Sequence, residues 1–511
     1  MACLKPLPFP PACNTDTARR LLAVLAMLVA AMLMAGCAST AGPPASVPVQ
    51  TPAQWFAPLP HNGSLTGLLQ WWQQQNDPLL VELIDAAQAA SPSIVTARSS
   101  IEQARASRTA SQAALLPKLD GTGVFSQSVS APINRVAAVP VNVTQLGLQT
   151  NWEIDVFGKN AANVNADQAR YEGAQARWHD ARVSVAAEVA VQYYTFRSCD
   201  KLRLVAQADA RSRAETARLS TLATKAGFEA PATSALARAS AAESNARATQ
   251  QRAQCDLDIK ALVALTAFSE PVLRQKLQAA LAQTPVIEGP QNLFDIPGIP
   301  AQVLAQRPDV FNAARELAAA SFEVGSARAQ RYPRLSLTGN IMTSQSSTTR
   351  LTQRFETWSI GPLALTVPLF DGGASQANLD AAKARYMDAE GKYRSICRQA
   401  VREVEEALVK LQSTADRSGD AAQAADGYQA SFAGTEARYK AGLASLVELE
   451  DSRRTLLAAQ SALVNLELER RSAWIALYRA LGGGWTIDAP QALPVALDTA
   501  SPTGSISPAW R

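Results

Sequence analysis

Ala329-Gln330-Arg331-Tyr332-Pro333-Arg334-Leu335-Ser336-Leu337-Thr338-Gly339 restates, 216 residues further on, the stretch Ala113-Ala114-Leu115-Leu116-Pro117-Lys118-Leu119-Asp120-Gly121-Thr122-Gly123. The same offset pairs Pro92 with Pro308, Ala97 with Ala313, Ile101 with Leu317 and Ala104 with Ala320. Lys225-Ala226-Gly227 returns as Lys440-Ala441-Gly442 at an offset of 215. A register that holds from a helix start into a strand marks two tandem copies of one supersecondary unit, each of about 200 residues.

Each copy opens on a helix with proline at its first position, at Ser91-Pro92 and Arg307-Pro308-Asp309, and stops at Pro117 or Pro333. The period then changes. Between Asn142 and Val156 the even positions Leu146, Leu148, Thr150, Trp152, Ile154 and Val156 alternate with Gly147, Gln149, Asn151, Glu153 and Asp155. Such alternation predicts a strand whose two faces meet different media. Lys118 to Phe125 is its partner. The second copy sets Leu335, Leu337, Gly339 and Ile341 against Ser336, Thr338 and Asn340, returning through Trp358 to Phe370. A soluble sandwich would alternate too, but two hairpins separated by about 200 helical residues make no sandwich core, and a lone hairpin is marginal in water. Strands with an apolar outside and a polar inside suit a transmembrane barrel. Closure takes about eight strands or more, so a chain with four must oligomerise.

The helices are long. No proline interrupts Asn160 to Ala226 or Ala374 to Ala441, and a helix over such a span reaches on the order of 100 Å. Gly173, Gly391, Gly419, Gly427 and Gly434 are positions where these rods can bend. Glycine turns follow at Gly227-Phe228-Glu229-Ala230-Pro231 and Gly442-Leu443-Ala444-Ser445, and return helices run to about Ala267 and Leu481. Leu449, Leu456 and Leu463, with Leu446 beside them, give the last helix a heptad seam. Dimeric cytoplasmic coiled coils share that seam; the strands and the N-terminus speak against them.

At the N-terminus, Arg19-Arg20 precede an apolar run from Leu21 to Met34 and then Ala35-Gly36-Cys37. The run is shorter than the ~20 residues of a spanning helix. A basic region, a short apolar core and small residues before cysteine read as a lipoprotein signal peptide with Cys37 as the acylated residue. Met34 stands where that signal usually has Leu, and Ala38 replaces the Asp that would retain the protein at an inner membrane, which favours the outer membrane. The divisions are therefore residues 1–36 as signal, 37–75 as tether, 76–297 and 298–485 as the two repeats, and 486–511 as a Pro/Ser/Ala-rich disordered tail.

Lys+Arg 48 against Asp+Glu 44 leaves +4, spread along helices with no basic cluster, so no nucleic-acid partner is expected. The two histidines, His61 and His179, assemble no triad or metal site, so neither an enzyme nor a cofactor is expected. Cys199, Cys255 and Cys397 lie in helical stretches at no metal spacing and read as separate buried, small apolar residues.

From Trp71 to Trp485 the chain resembles the TolC-like outer-membrane factors, in particular their NodT or OprM-like lipoproteins. The carriers are Asp77-Pro78-Leu79-Leu80, Arg307-Pro308-Asp309-Val310, Gly325 with Ala327-Arg328-Ala329, Tyr332 to Gly339, Pro368-Leu369-Phe370-Asp371-Gly372-Gly373, Tyr439 to Ser445, and Leu477-Tyr478-Arg479-Ala480-Leu481-Gly482-Gly483-Gly484-Trp485. The resemblance implies an α+β membrane fold: a homotrimer with a twelve-stranded outer-membrane barrel, four strands per chain, continuous with a periplasmic helical coiled-coil barrel. It implies an exit duct in outer-membrane lipid, joined through a periplasmic adaptor protein to an inner-membrane pump of the RND, MFS or ABC type.

By the same resemblance, Gly227, Phe228, Gly442, Leu443 and Ser445 are adaptor-docking tips, although helix termination needs glycine there anyway. Val447, Asp451 and Arg454 match the family's periplasmic gate; spacings of four and three put them on one helix face, which also suits a solvated face with an i,i+3 salt bridge. The family usually has Leu-Leu-Asp-Ala-Gln-Arg where this chain has Leu449-Glu450-Asp451-Ser452-Arg453-Arg454. The cargo implied is small and amphiphilic, drugs or toxic organics; type I protein secretion through the same duct, or a non-conducting envelope scaffold, are the alternatives.

Overall fold

The computed structural model describes residues 41–49, 51–57, 68, 71–129, 140–283, 300–348 and 351–485. The signal, Cys37, His61 and the tail lie outside them. The elements are α1 (Trp71–Gln74), α2 (Pro78–Ala90), α3 (Pro92–Ala113), β1 (Lys118–Val129), β2 (Pro140–Ile154), α4 (Lys159–Lys225), α5 (Pro231–Thr266), α6 (Glu270–Gln283), α7 (Pro300–Ala305), α8 (Pro308–Ala329), β3 (Arg334–Ser347), β4 (Thr352–Thr366), α9 (Ala374–Lys440) and α10 (Leu446–Ala480). The order β1-β2-α4-α5 recurs as β3-β4-α9-α10, as the repeat requires.

One antiparallel sheet has the order β1-β2-β3-β4. β1 and β3 run further than expected, and β4 covers 352–366 instead of ending at Phe370. Pro368 has no N–H for the ladder, so the pairing stops short of it.

α4 and α9 are both 67 residues long. α9 passes unbroken through its four glycines, and α4 through Gly173. Gly173 serves close packing: a Cβ there would lie 2.7 Å from Asn312 Oδ1 of α8. Each long helix ends in a Schellman motif, with Gly227 at φ 80° and Gly442 at φ 75°. The Phe228 N–H donates to Ala223 O at 2.9 Å, and the Leu443 N–H to Arg438 O at 2.8 Å.

Cys199 and Cys255 depart from the sequence expectation. They form a disulfide between α4 and α5, with Cα atoms 5.5 Å apart. Gly227 is their midpoint in sequence, and residues equidistant from the turn of an antiparallel hairpin stand side by side. Cys397 remains a free, buried thiol.

The largest core lies at the equator, where α1, α2 and α6 wrap the long helices and Leu80, Leu83, Tyr193, Leu262, Leu408, Trp474 and Leu477 are buried together. Asp77 organises it. Its carboxylate accepts from the Leu80 N–H at 3.2 Å, the Tyr193 hydroxyl at 2.8 Å and Arg197 Nη1 at 3.0 Å. The described parts of the N-terminal stretch are docked: Tyr386 donates to Pro44 O at 2.9 Å, and the Glu405 carboxylate accepts the N–H groups of Phe56 and Ala57, each at 2.8 Å.

Candidate functional site

Register sorts the sheet's two faces. Leu148 stands opposite Gly121 and Ile341, and Ile341 opposite Trp358. With Leu146, Leu119, Phe125, Ile360, Leu363 and Leu365, these side chains make an exposed apolar face. The opposite face carries rows such as Asp120, Gln149, Asn340 and Ser359. Between Leu337 and Gly339 a bulge in β4 sets Gly361 and Pro362 against the single residue Thr338. The extra residue moves the apolar series from even Trp358 and Ile360 to odd Leu363 and Leu365, so one face stays apolar from Trp358 to Leu365, while Arg354 and Glu356 stand on that face nearer the hairpin turn.

The far ends of the helical hairpins carry the other candidates. Phe228 and Leu443 project from the turns at 88% and 70% exposure. Ser445 caps α10 in a reciprocal capping box: the Glu448 N–H donates to Ser445 Oγ at 3.2 Å, and Glu448 Oε2 accepts the Ser445 N–H at 2.7 Å. That backbone N–H also holds the Glu448 carboxyl below its ordinary pKa.

The charged run after the turn divides by face. Val447, Asp451 and Arg454 are exposed together, with Asp451 and Arg454 ion-paired within the chain. Glu450 and Arg453 point the other way. The Glu450 carboxylate bonds Arg213 of α4, accepts from Ser240 of α5 at 2.7 Å and accepts from Arg453 Nη1 at 2.8 Å. Arg213 Nε also reaches both Asp209 oxygens, at 2.9 and 3.0 Å, while Arg453 Nη2 donates to Ser212 at 2.8 Å and Thr216 at 2.9 Å. Two acids and two buried arginines thus join α10 to the first hairpin with no net charge. The sequence spacing puts Val447, Asp451 and Arg454 on one face and assigns no partner to Glu450 or Arg453. A signal was present: Arg453 lies one heptad after Leu446, at a seam position where a cation needs a buried partner.

An apolar-outside sheet of four strands, continuous with two helical hairpins on the order of 100 Å long, is a shape with few owners. Residues 83–267 and 299–483 each match the family described as outer membrane efflux protein, two stretches 216 residues apart. The chain belongs to the outer membrane efflux protein family. SrpC, a solvent efflux pump outer membrane protein of Pseudomonas putida, is 27% identical over 414 residues, covering 80% of this chain and 86% of its own. OpmQ, a pyoverdine export outer membrane protein of Pseudomonas aeruginosa, is 29% identical over 478 residues, covering 91% and 97%. The outer membrane channel CmeC of Campylobacter jejuni superposes with a TM-score of 0.78 at 24% identity, covering 88% of this chain and 95% of its own. The fold is TolC-like and the protein is an outer-membrane efflux channel, its sheet in the outer membrane and its helices in the periplasm.

Proposed function

We propose that three copies of this chain close into a passive duct that carries small amphiphilic molecules outward from an inner-membrane pump through a periplasmic adaptor. The unequal burial of the two copies carries the reading. α4 and α9 have the same length, yet α4 buries 22 residues and α9 only 11. α8 buries 13 residues and its counterpart α3 only Ile101. α8 lies between α4 and α9, whereas among the described elements α3 packs chiefly on α4. Each missing contact is one that a neighbouring copy would supply, α9 meeting the neighbour's α3 and β4 meeting its β1. Three copies give twelve strands, enough to close a barrel with an aqueous lumen.

In that assembly Val447, Asp451 and Arg454 form three-fold rings at the periplasmic end, a polar gate, and the exposed Phe228 and Leu443 face the adaptor. Cys37 carries the lipid. Ala41, four residues on, has its carbonyl bonded to Arg328, just before β3, and four residues span up to about 14 Å. The anchor thus falls within reach of the sheet's periplasmic edge. Solvent and pyoverdine export by relatives supports small organic cargo, with selectivity left to the pump. Deleting the gene with the partner pump expressed should sensitise cells to dyes and organic solvents. Unchanged tolerance, or purified protein without conductance in planar bilayers even as Asp451→Ala, would overturn the reading.

A further inference from the structure

The two copies fix more than the fact of closure: they fix its register. Lys118 pairs with Asn151 in the first hairpin and Arg334 with Thr366 in the second, and Lys118 corresponds to Arg334 in the repeat. Asn151 therefore corresponds to Thr366, an offset of 215. The same offset relates the starts of α4 and α9, at Lys159 and Ala374, and their ends, at Lys225 and Lys440. Strands and helices agree on one equivalence.

Within the chain the copies meet along β2 and β3, where Asn151 stands opposite Thr338 and Thr150 opposite Gly339. We propose that the fourth seam, between β4 and β1 of a second copy, repeats this register, so that Thr366 stands opposite the partner's Thr122 and Leu365 opposite the partner's Gly123. Leu363 then meets the partner's Phe125. Beyond the bulge the shift is one residue less, and Trp358 meets the partner's Val129. The inference rests on the trimeric reading and adds to it the pairing that makes the barrel.

An independent feature agrees. The register places Leu363, Leu365 and Trp358 beside Phe125, Gly123 and Val129, all on the apolar face, and Ala364 and Thr366 beside Val124 and Thr122 on the polar face. A slip of one residue would mix the faces. A slip of two keeps them, and is what matching Phe157 to Phe370 by sequence gives: Thr366 opposite the partner's Asp120. Structure and motif thus make different claims about one seam.

Cysteine pairs in the full-length, membrane-inserted protein separate them. Directly opposed residues on antiparallel strands have Cα atoms roughly 4.5–5.5 Å apart, within disulfide reach, whereas diagonal neighbours at roughly 7–8 Å are not. Thr122→Cys/Thr366→Cys should oxidise to a reduction-sensitive covalent trimer as the main species on denaturing gels. Asp120→Cys/Thr366→Cys should give no more than the single variants do. Native mass spectrometry before oxidation reports the assembly of each variant. Cross-linking of the Asp120 pair instead, or of neither pair in a species of trimeric mass, overturns the register while leaving the trimer. A monomeric or dimeric wild-type mass overturns the trimer itself.

Discussion

Replacing Glu450 by alanine should loosen the periplasmic end of the chain more than any exposed charge there. Arg213 and Arg453 are 5% and 3% exposed, and Glu450 is the one carboxylate that touches both. Without it Arg213 keeps Asp209, whereas Arg453 keeps two hydroxyls and the face of the Phe432 ring at 5.6 Å. Removing one partner of a buried pair costs about 3–5 kcal/mol, and the retained Asp209 contact argues for the lower end, about 3 kcal/mol. At about 1.4 kcal/mol per decade, amides from Leu446 to Leu456 and in α4 around Arg213 should lose about a hundredfold of hydrogen-exchange protection. The equatorial core should keep its own. Glu450→Leu/Arg453→Gln removes acid and base together, so it should recover most of that protection, because a buried ion pair replaced by neutral side chains is often neutral in stability. A loss below tenfold in Glu450→Ala, or a double variant as loose as the single, would refute the assignment of the cluster as the joint between hairpins.

Three further outcomes follow from the geometry. Cys199→Ser/Cys255→Ser opens a cross-link between residues 56 apart, so denaturant unfolding of the purified protein should shift by about 2–4 kcal/mol, and reductant should shift the wild type but not the variant. Asp77→Ala leaves Arg197 and Tyr193 without their shared acceptor and removes the α2 cap, which should cost about 3 kcal/mol in the same assay, whereas a surface pair such as Arg105 with Glu102 should be worth less than about 1 kcal/mol. Burial and the nearby Arg182 lower the His179 pKa from 6.5 to about 4. The unfolded chain therefore takes up that proton first, and stability should fall as pH drops from about 6.5 towards 4; His179→Gln should lose less stability than wild type between those pH values.

The long helices, their glycine turns and the sheet's two faces were legible because each rests on a local rule: absence of proline, positive φ after a helix, alternation by two. β4 is legible from Trp358 onward and not in its first half, because residues 352–357 put Arg354 and Glu356 on the face of Trp358 and offer no apolar alternation to find. The disulfide was hidden by an odd thiol count, although Cys199 and Cys255 are placed evenly about Gly227. The Glu450 cluster was hidden because Asp209, Arg213 and Ser240 lie far from it in sequence, and charge adjacent in sequence is ordinarily shared with water. Cys37 lies outside the described residues, and the role proposed for the gate is the one that the bilayer conductance of Asp451→Ala addresses.

The equal length of α4 and α9 constrains how this protein can change over time. A turn inserted into one long helix would lift its own strand hairpin or push its own tip out of line with the other copy, and its return helix would lose step across the turn. A longer or shorter duct therefore needs matched insertions in four helices at once, two in each half of the gene. Strands tolerate an odd change only where a bulge absorbs it, as at Gly361-Pro362, and helical hairpins tolerate only paired ones, so point substitutions are the cheap route to variation, and the span from the sheet to the helical tips is inherited almost as a fixed dimension.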